Sequence, residues 1–392
     1  MRAGPSQEEI RRYNLGSLLR HVHVLGPTSR AQLTALMGLN RSTIGALTAD
    51  LVAADLVREE LPRDRQGAGR PSLVVRPVSE RIHVYAFHVG VDRVVAARVG
   101  LGCVVLDRRE MIHPRGAFSP DDVLRTVTGF VEQMRRSVPA DGTCVGAGAS
   151  VSGLVRHVDG MVSFGPNLGW RDEPFGDRLS GIVGERVMVG NDADLSALAE
   201  HLRGVAAGSD DVVYLHGDVG IGGGIIVAGR LLGGHEGYGG EVGHMVVNPS
   251  GGPCGCGSRG CWETEIGERA LLEAAGRSPD DGRQGVSALI DSASRGDADA
   301  QEALRRVGDW LGFGVANLVN IFNPQTVVFG GHLRDVYLAS AAQVRGRLNR
   351  MGLHASREPV KLRTPALGED LPLIGAAELA FTRLLDDPLG TP

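Results

Sequence analysis

The stretch G-E-V-G-H-M-V-V-N-P-S-G-G-P-C-G-C-G-S-R-G-C-W-E, residues 240–263, decides how the rest of the chain is read. It places His244, Cys254, Cys256 and Cys261 in one glycine-rich segment, with Glu241 and Glu263 flanking them. Three of the chain's five cysteines fall within eight residues, and the histidine precedes the first by ten. Three soft thiolates and one imidazole are the ligand set of a closed tetrahedral zinc site. The C-x-C-x4-C spacing lets one loop wrap one ion, which would pin both carboxylates beside it. Clustered thiols without pairing partners elsewhere argue for metal binding over a disulfide framework. The segment predicts structural Zn2+ held by His244, Cys254, Cys256 and Cys261.

These residues carry a resemblance to the ROK family, the sugar kinases and sugar-responsive repressors of the sugar kinase and actin-like fold. The family hallmark, G-E-x-G-H followed by C-x-C-G-x-x-G-C and a nearby glutamate, stands complete here. The resemblance runs from about Val84 to Leu385 and implies a two-lobed α/β body. It also implies that the metal is structural and that Glu241, His244 and Glu263 contact sugar hydroxyls.

With 392 residues, the chain exceeds one ordinary domain. No apolar run is long enough to span a bilayer, and no basic-then-apolar leader opens the sequence. A cytoplasmic protein without membrane association is expected. Charge is unevenly distributed. Residues 1–78 hold eleven Arg against seven Asp or Glu, a balance of +4; the whole chain carries −5, so the remainder carries −9. A basic head on an acidic body suits a nucleic-acid-binding module joined to a small-molecule domain.

The head reads as a winged helix-turn-helix over residues 1–78. Ser6-Gln7-Glu8-Glu9 and Ser29-Arg30-Ala31-Gln32 are capping boxes that start two helices, ending near Gly26 and Gly38. Asn40 or Ser42 caps a third, whose apolar face includes Ile44, Leu47 and Leu51. Short strands at 56–60 and 73–75 flank a turn rich in Pro, Gly and Arg, which makes a wing. The third helix is expected in the major groove of an operator, with Arg41, Ser42, Thr43 and Thr48 facing bases or phosphates. Arg63, Arg65 and Arg70 on the wing are expected to reach a minor groove. ROK repressors carry a winged helix at this position. Two-fold operators imply a homodimer or homotetramer.

From Ile82 the pattern turns to strands, glycine turns and helices of an α/β body. A first lobe is expected over 82–195, with a C-terminal helix at 374–385 returning to it, and a second lobe over 196–373 bearing the zinc loop. A strand at 187–189 leads into Gly190-Asn191-Asp192-Ala193-Asp194, placing two polar side chains at a strand's carboxyl end. Asn191-Asp192 matches the N-D-A-N element of ROK kinases, with Asp194 in place of the final Asn. The match implies that Asp192 would be the general base of a kinase and that Asn191 holds a neighbouring hydroxyl. Read alone, the pair is equally a helix cap. Asn167, in a loop the family also uses, completes an expected sugar lining of Asn167, Asn191, Asp192, Glu241, His244 and Glu263.

The kinase pattern breaks at both phosphate loops. Where the family has D-x-G-G-T, this chain has His88-Val89-Gly90-Val91-Asp92. Where it has G-T-G-I-G-x-G, the chain has Asp218-Val219-Gly220-Ile221-Gly222-Gly223-Gly224. A magnesium-organising acid and two phosphate-donating hydroxyls are gone, and two acids have arrived. The expectation is a sensor without catalytic residues that takes a sugar or sugar phosphate as effector. The alternative is an ATP-dependent sugar kinase with a fused DNA-binding head.

Overall fold

The computed structural model describes residues 6–62, 72–116 and 118–390. The head comprises α1 (Gln7–Leu25), β1 (Thr28–Ser29), α2 (Arg30–Met37), α3 (Arg41–Ala53), β2 (Val57–Glu60) and β3 (Val74–Pro77). Both capping boxes form, and Asn40 rather than Ser42 caps α3. Gly38 takes the left-handed conformation that ends α2, with φ +64°, and so sets the turn into α3. β3 pairs antiparallel with both β1 and β2, which gives a three-stranded wing sheet.

The body holds two five-stranded sheets of one topology. In the first lobe β4 (Ile82–Val89), β5 (Arg93–Gly100) and β6 (Val104–Ile112) form an antiparallel meander. After α4 (Pro120–Arg135), β7 (Thr143–Val151) adds parallel to β4. A small sheet of β8 (Leu154–Val155), β9 (Val162–Gly165) and β10 (Trp170–Glu173) follows, then α5 (Phe175–Val183). β11 (Val187–Asn191) joins parallel to β7 and runs directly into α6 (Asp192–Arg203). The helix therefore starts at Asp192, three residues before the position its apolar pattern suggests, because Asn191 caps it.

The second lobe repeats the plan. β12 (Val212–Gly217), β13 (Ile221–Val227) and β14 (Arg230–Leu231) make the meander. The zinc-loop segment leads into α7 (Glu263–Ile266), α8 (Glu268–Ala274), α9 (Gly282–Ser294) and α10 (Ala298–Phe322). β15 (Thr326–Gly331) joins parallel to β12, α11 (His332–Met351) and α12 (His354–Arg357) follow, and β16 (Lys361–Arg363) joins β15. The last helix, α13 (Leu371–Asp386), packs on β4 and β7 of the first sheet.

α6 lies wedged between the two sheets. A Cβ on Gly224 of β13 would sit 2.5 Å from Ala193 O, and one on Gly375 of α13 would sit 1.9 Å from Leu195 O. Only glycine permits that approach from either side. The head is joined to the body through α1, whose Leu15, Leu18, Leu19 and Val22 share one buried cluster with Phe381 and Leu385 of α13.

Candidate functional site

The described chain brings His244 Nδ1 and the thiols of Cys254, Cys256 and Cys261 together, with all four donor atoms within 4.8 Å of one another. With Zn–S of about 2.3 Å and Zn–N of about 2.0–2.1 Å, a tetrahedron has S···S edges of about 3.8 Å and S···N edges of about 3.6 Å. Cys256 Sγ lies 3.7 Å from Cys261 Sγ, and Cys254 Sγ lies 3.6 Å from His244 Nδ1. Two edges thus already have the length a tetrahedral ion requires, so the donor set fits. An ion held through Nδ1 would leave the Nε2–H of His244 as a donor, and His244 lines the adjoining cavity.

That cavity, of about 380 Å³, opens between the lobes at the carboxyl end of β11. Asn167, Asn191, Asp192, Glu241, His244 and Glu263 all line it. Ser152, not singled out from sequence, also lines it and donates to Asp192 Oδ2. Asp192 Oδ1 accepts from Ala193 N at 2.9 Å, so the carboxylate is held at the start of α6. Glu263 Oε2 accepts from Ile221 N at 3.1 Å, directly under Gly220, where a Cβ would come within 2.3 Å of that oxygen. Burial pushes Glu241 above the usual carboxylate range, with His244 opposing and Asp192 and Glu263 adding to the shift.

Two residues of the motif behave differently from the expected sugar contacts. Asn191 Oδ1 accepts from Ala193 N at 2.8 Å and Asp194 N at 3.2 Å, and its Nδ2 donates to Gly153 O at 3.0 Å. The side chain lines the cavity yet is committed to capping α6, so the helix-cap reading describes its bonding. Asp194 is 2% exposed, and Oδ1 has no hydrogen-bond partner among the described residues. Burial, then Glu241 and Asp192, raise its pKa well above normal. A protonated carboxyl is the nearest acidic equivalent of the family's asparagine.

A second cavity of about 590 Å³ adjoins the first and shares Ser152, Asp192, His216 and Asp218 with it. Both altered phosphate loops reach it, through His88, Gly90, Asp92 and Asp218. His88 Nδ1 lies 2.8 Å from Ser150 Oγ, and burial pulls its pKa down to about 4 against the pull of Asp192. It is neutral at pH 7 and supplies no charge for magnesium.

The two new acids do not stand as bare charges. Arg283, at the start of α9, donates Nη2 to Asp218 Oδ1 at 3.0 Å and sets Nε 3.1 Å from Asp92 Oδ2. The second contact is Coulombic, since Nε is not aligned to donate. Arg93 Nε donates to Asp92 Oδ1 at 3.3 Å. Arg115 grips Glu268 with both Nη atoms, one at 3.0 Å, and lies 3.8 Å from Asp218. Burial works to raise Asp218, but Arg283, His216 and Arg115 outweigh it and hold it below its ordinary value. Asp92 and Arg115 belong to the first lobe, Asp218, Glu268 and Arg283 to the second. The acids thus hold the chain's own arginines across the cleft, a different outcome from simple repulsion of phosphate.

On the head, Arg41 and Ser42 are exposed and Thr43 is half-buried at the start of α3. Ser42 Oγ and Thr43 Oγ1 donate to Asn40 Oδ1 at 2.6 and 2.9 Å, which fixes both at the helix N-terminus. Thr48 is fully buried and donates to Ile44 O at 2.7 Å, so it belongs to the core and not to the exposed face. The exposed face continues instead through Ala46 and Ala49, whose small side chains permit close approach. Arg63, Arg65 and Arg70 lie outside the described residues.

The duplicated α/β lobes, the zinc-type loop and the polar cavity between them define a ROK protein, and the chain belongs to the ROK family, whose model matches residues 84–383. Among relatives, the xylose repressor of Bacillus subtilis (strain 168) is 28% identical over 382 residues, covering 97% of this chain and 98% of that protein. The glucokinase of Streptomyces coelicolor is 32% identical over 280 residues, 67% of this chain and 87% of that one. Among solved structures, a ROK family transcriptional regulator homologous to the E. coli MLC protein superposes with TM-score 0.79 at 25% identity, covering 97% and 98% of the two chains. A ROK glucokinase of Streptomyces griseus in complex with glucose and AMPPNP gives TM-score 0.65 at 29% identity, over 76% of this chain and 99% of that one. The repressor and the regulator thus each cover 97% of this chain, the two kinases 67% and 76%. No described helix is long and apolar enough to cross a membrane.

Proposed function

We propose that this chain is a sugar-responsive transcriptional repressor: its head binds operator DNA, and its body senses a free sugar without phosphorylating it. The observation that carries this reading is the contrast between the two cavities. One presents Asp192, Glu241 and Glu263, which no described arginine pairs, together with the Asn167 amide to a polyhydroxylated ligand, while the other is spanned by the chain's own ion pairs. A site built from such groups discriminates strongly, because each buried hydroxyl or carboxylate left unpaired costs about 1–3 kcal/mol.

The sugar cavity also favours a neutral ligand. Asp192, Asp218, Glu241 and Glu263 line it, and among the described residues no Arg or Lys does. A phosphate ester carries roughly −1.5 to −2 charge at pH 7 and would meet only like charge there. The effector is therefore a free sugar and not a sugar phosphate, and D-xylose is the first candidate because full-length relatives are xylose repressors. Structural zinc holds the loop that carries His244 and Glu263 at the cavity wall. A sugar that prefers the non-binding conformation a hundredfold supplies about 2.7 kcal/mol toward operator release.

A thermal-shift panel of D-xylose, D-glucose and N-acetyl-D-glucosamine, each beside its phosphate ester, tests the reading. One free sugar is expected to raise Tm, its phosphate ester is not, and that sugar is expected to weaken a gel shift on upstream DNA. Operator binding is expected to fall steeply with salt. The kinase alternative draws on Asp192, which lines both cavities as a phosphoryl-transfer base would. Turnover with MgATP that Asp192→Asn abolishes would replace the sensor reading.

A further inference from the structure

The head and the sugar cavity are joined by a buried polar node. His23, near the end of α1, is 0% exposed and sets Nε2 3.2 and 3.3 Å from the two carboxylate oxygens of Glu378 on α13. Gly102 N donates to His23 Nδ1 at 2.9 Å, so Nδ1 accepts and the Nε2–H points at Glu378. A second partner of Glu378 is Arg203, the last residue of α6, whose Nε donates to Oε1, and the Cys103 thiol lies against both. The same guanidinium donates to His23 O at 3.1 Å and to Val24 O at 3.2 Å, the orphan carbonyls at the end of α1.

α6 therefore has one end in each place. It starts at Asp192 in the sugar cavity, capped by Asn191, and ends on the head helix through Arg203. Twelve helical residues span about 18 Å. Close glycine contacts on both sides hold the start of α6 against β13 and α13, so a displacement of its start is passed along the helix instead of being taken up in slack packing. The node is buried: side-chain exposure is 0% for His23, 1% for Glu378 and 13% for Arg203. Groups so placed switch between discrete pairings, because an unpaired buried charge is strongly disfavoured. The remaining ion pairs between α1 and the C-terminal segment, Arg20–Asp386 and Arg12–Asp387, are exposed and do not touch α6.

We propose that α6 transmits occupancy of the sugar cavity to the DNA-binding head, with Arg203, Glu378 and His23 as the coupling node. The proposal rests on the free-sugar reading above and adds the route. A sugar hydroxyl bound at Asp192 biases the position of α6, and Arg203 converts that displacement into a new seat for the end of α1. Arg203 and Glu378 are positioning residues and touch no ligand.

The test uses the full chain, with D-xylose, D-glucose and N-acetyl-D-glucosamine as probes. Sugar affinity is read by calorimetry, and the response of the head by hydrogen exchange in residues 15–25. In the wild type, bound sugar is expected to change exchange in that segment. Arg203→Gln is expected to keep sugar affinity within about threefold and to lose at least four-fifths of the exchange response. Glu378→Gln provides a second, independent break, and Arg20→Ala is expected to keep the full response. An unchanged response in a folded Arg203→Gln or Glu378→Gln protein overturns the proposal. So does a wild type that binds sugar without any change in residues 15–25, a result that leaves the sugar cavity standing. A wild type that binds no sugar removes the cavity reading itself.

Discussion

The two cavities between the lobes share walls, and they differ in what occupies their polar groups. In the sugar cavity, Glu241 and Glu263 line the space beside a metal-type loop with no described arginine against them, Glu263 accepting only from Ile221 N and Cys254 Sγ. In the adjoining cleft, Asp92, Asp218 and Glu268 are already spoken for by Arg283, Arg93 and Arg115. The difference teaches how, on the proposed sensor reading, a phosphate site is lost in two linked ways. The groups expected to organise magnesium and phosphate are replaced, and the replacements meet cations of the opposite lobe. A triphosphate entering this cleft would have to break ion pairs that the protein makes with itself. A neutral sugar in the first cavity breaks none.

The largest effect expected from breaking this comparison is on the metal side. Cys254→Ser or Cys261→Ser should release the ion, measured as a fall from about one zinc per chain by elemental analysis, and should abolish sugar binding together with much of the solubility. Freshly purified wild type without metal would remove the brace from the account. Next, Glu263→Gln or Glu241→Gln should weaken the free sugar about 10–100-fold by calorimetry, the cost of roughly one mispaired buried hydroxyl. Neither should alter the response to MgATP.

Smaller effects come from the cleft. Arg283→Ala removes one partner each of Asp92 and Asp218, which keep Arg93 and Arg115, and the arginine side chain is 41% exposed, so solvent screens its pairs. A stability loss of about 1 kcal/mol or less is expected in denaturant titration, with sugar affinity little changed. A loss of many times that size would mean the lobes depend on this contact. The smallest effect is the pH dependence of that loss. Asp218 is depressed below its ordinary value of 3.8, so its pairing contributes fully above pH 3.8 and is lost as pH falls through the lower folded value. The gap between wild type and Arg283→Ala should therefore close only below about pH 3.8.

Much of this organisation was legible because it is local in sequence. Capping boxes span four residues, the metal-type donors lie within eighteen, and short apolar runs mark β2 to β7 and β11. Asn191 carried both of its meanings in one motif, and only the hydrogen bonds of its amide separate them. Thr48 belongs to the core and not to the DNA-facing side because it stands four residues after Ile44 and three before Leu51, on their buried face, and its hydroxyl is satisfied by Ile44 O. What sequence could not reveal is long-range pairing. Arg283 meets Asp92 across 191 residues, and His23 meets Glu378 across 355. No periodicity connects such positions; they meet because the second lobe folds against the first and α13 returns under the head.

The most direct measurement is calorimetric titration of one wild-type, metal-loaded preparation, first with the free-sugar panel and then, sugar bound, with MgATP. A single saturable site for one neutral sugar is expected, with no heat from MgATP up to millimolar concentration and no sugar phosphate formed. Saturable MgATP binding accompanied by turnover would contradict the sensor reading, because the cleft would then be a working nucleotide site.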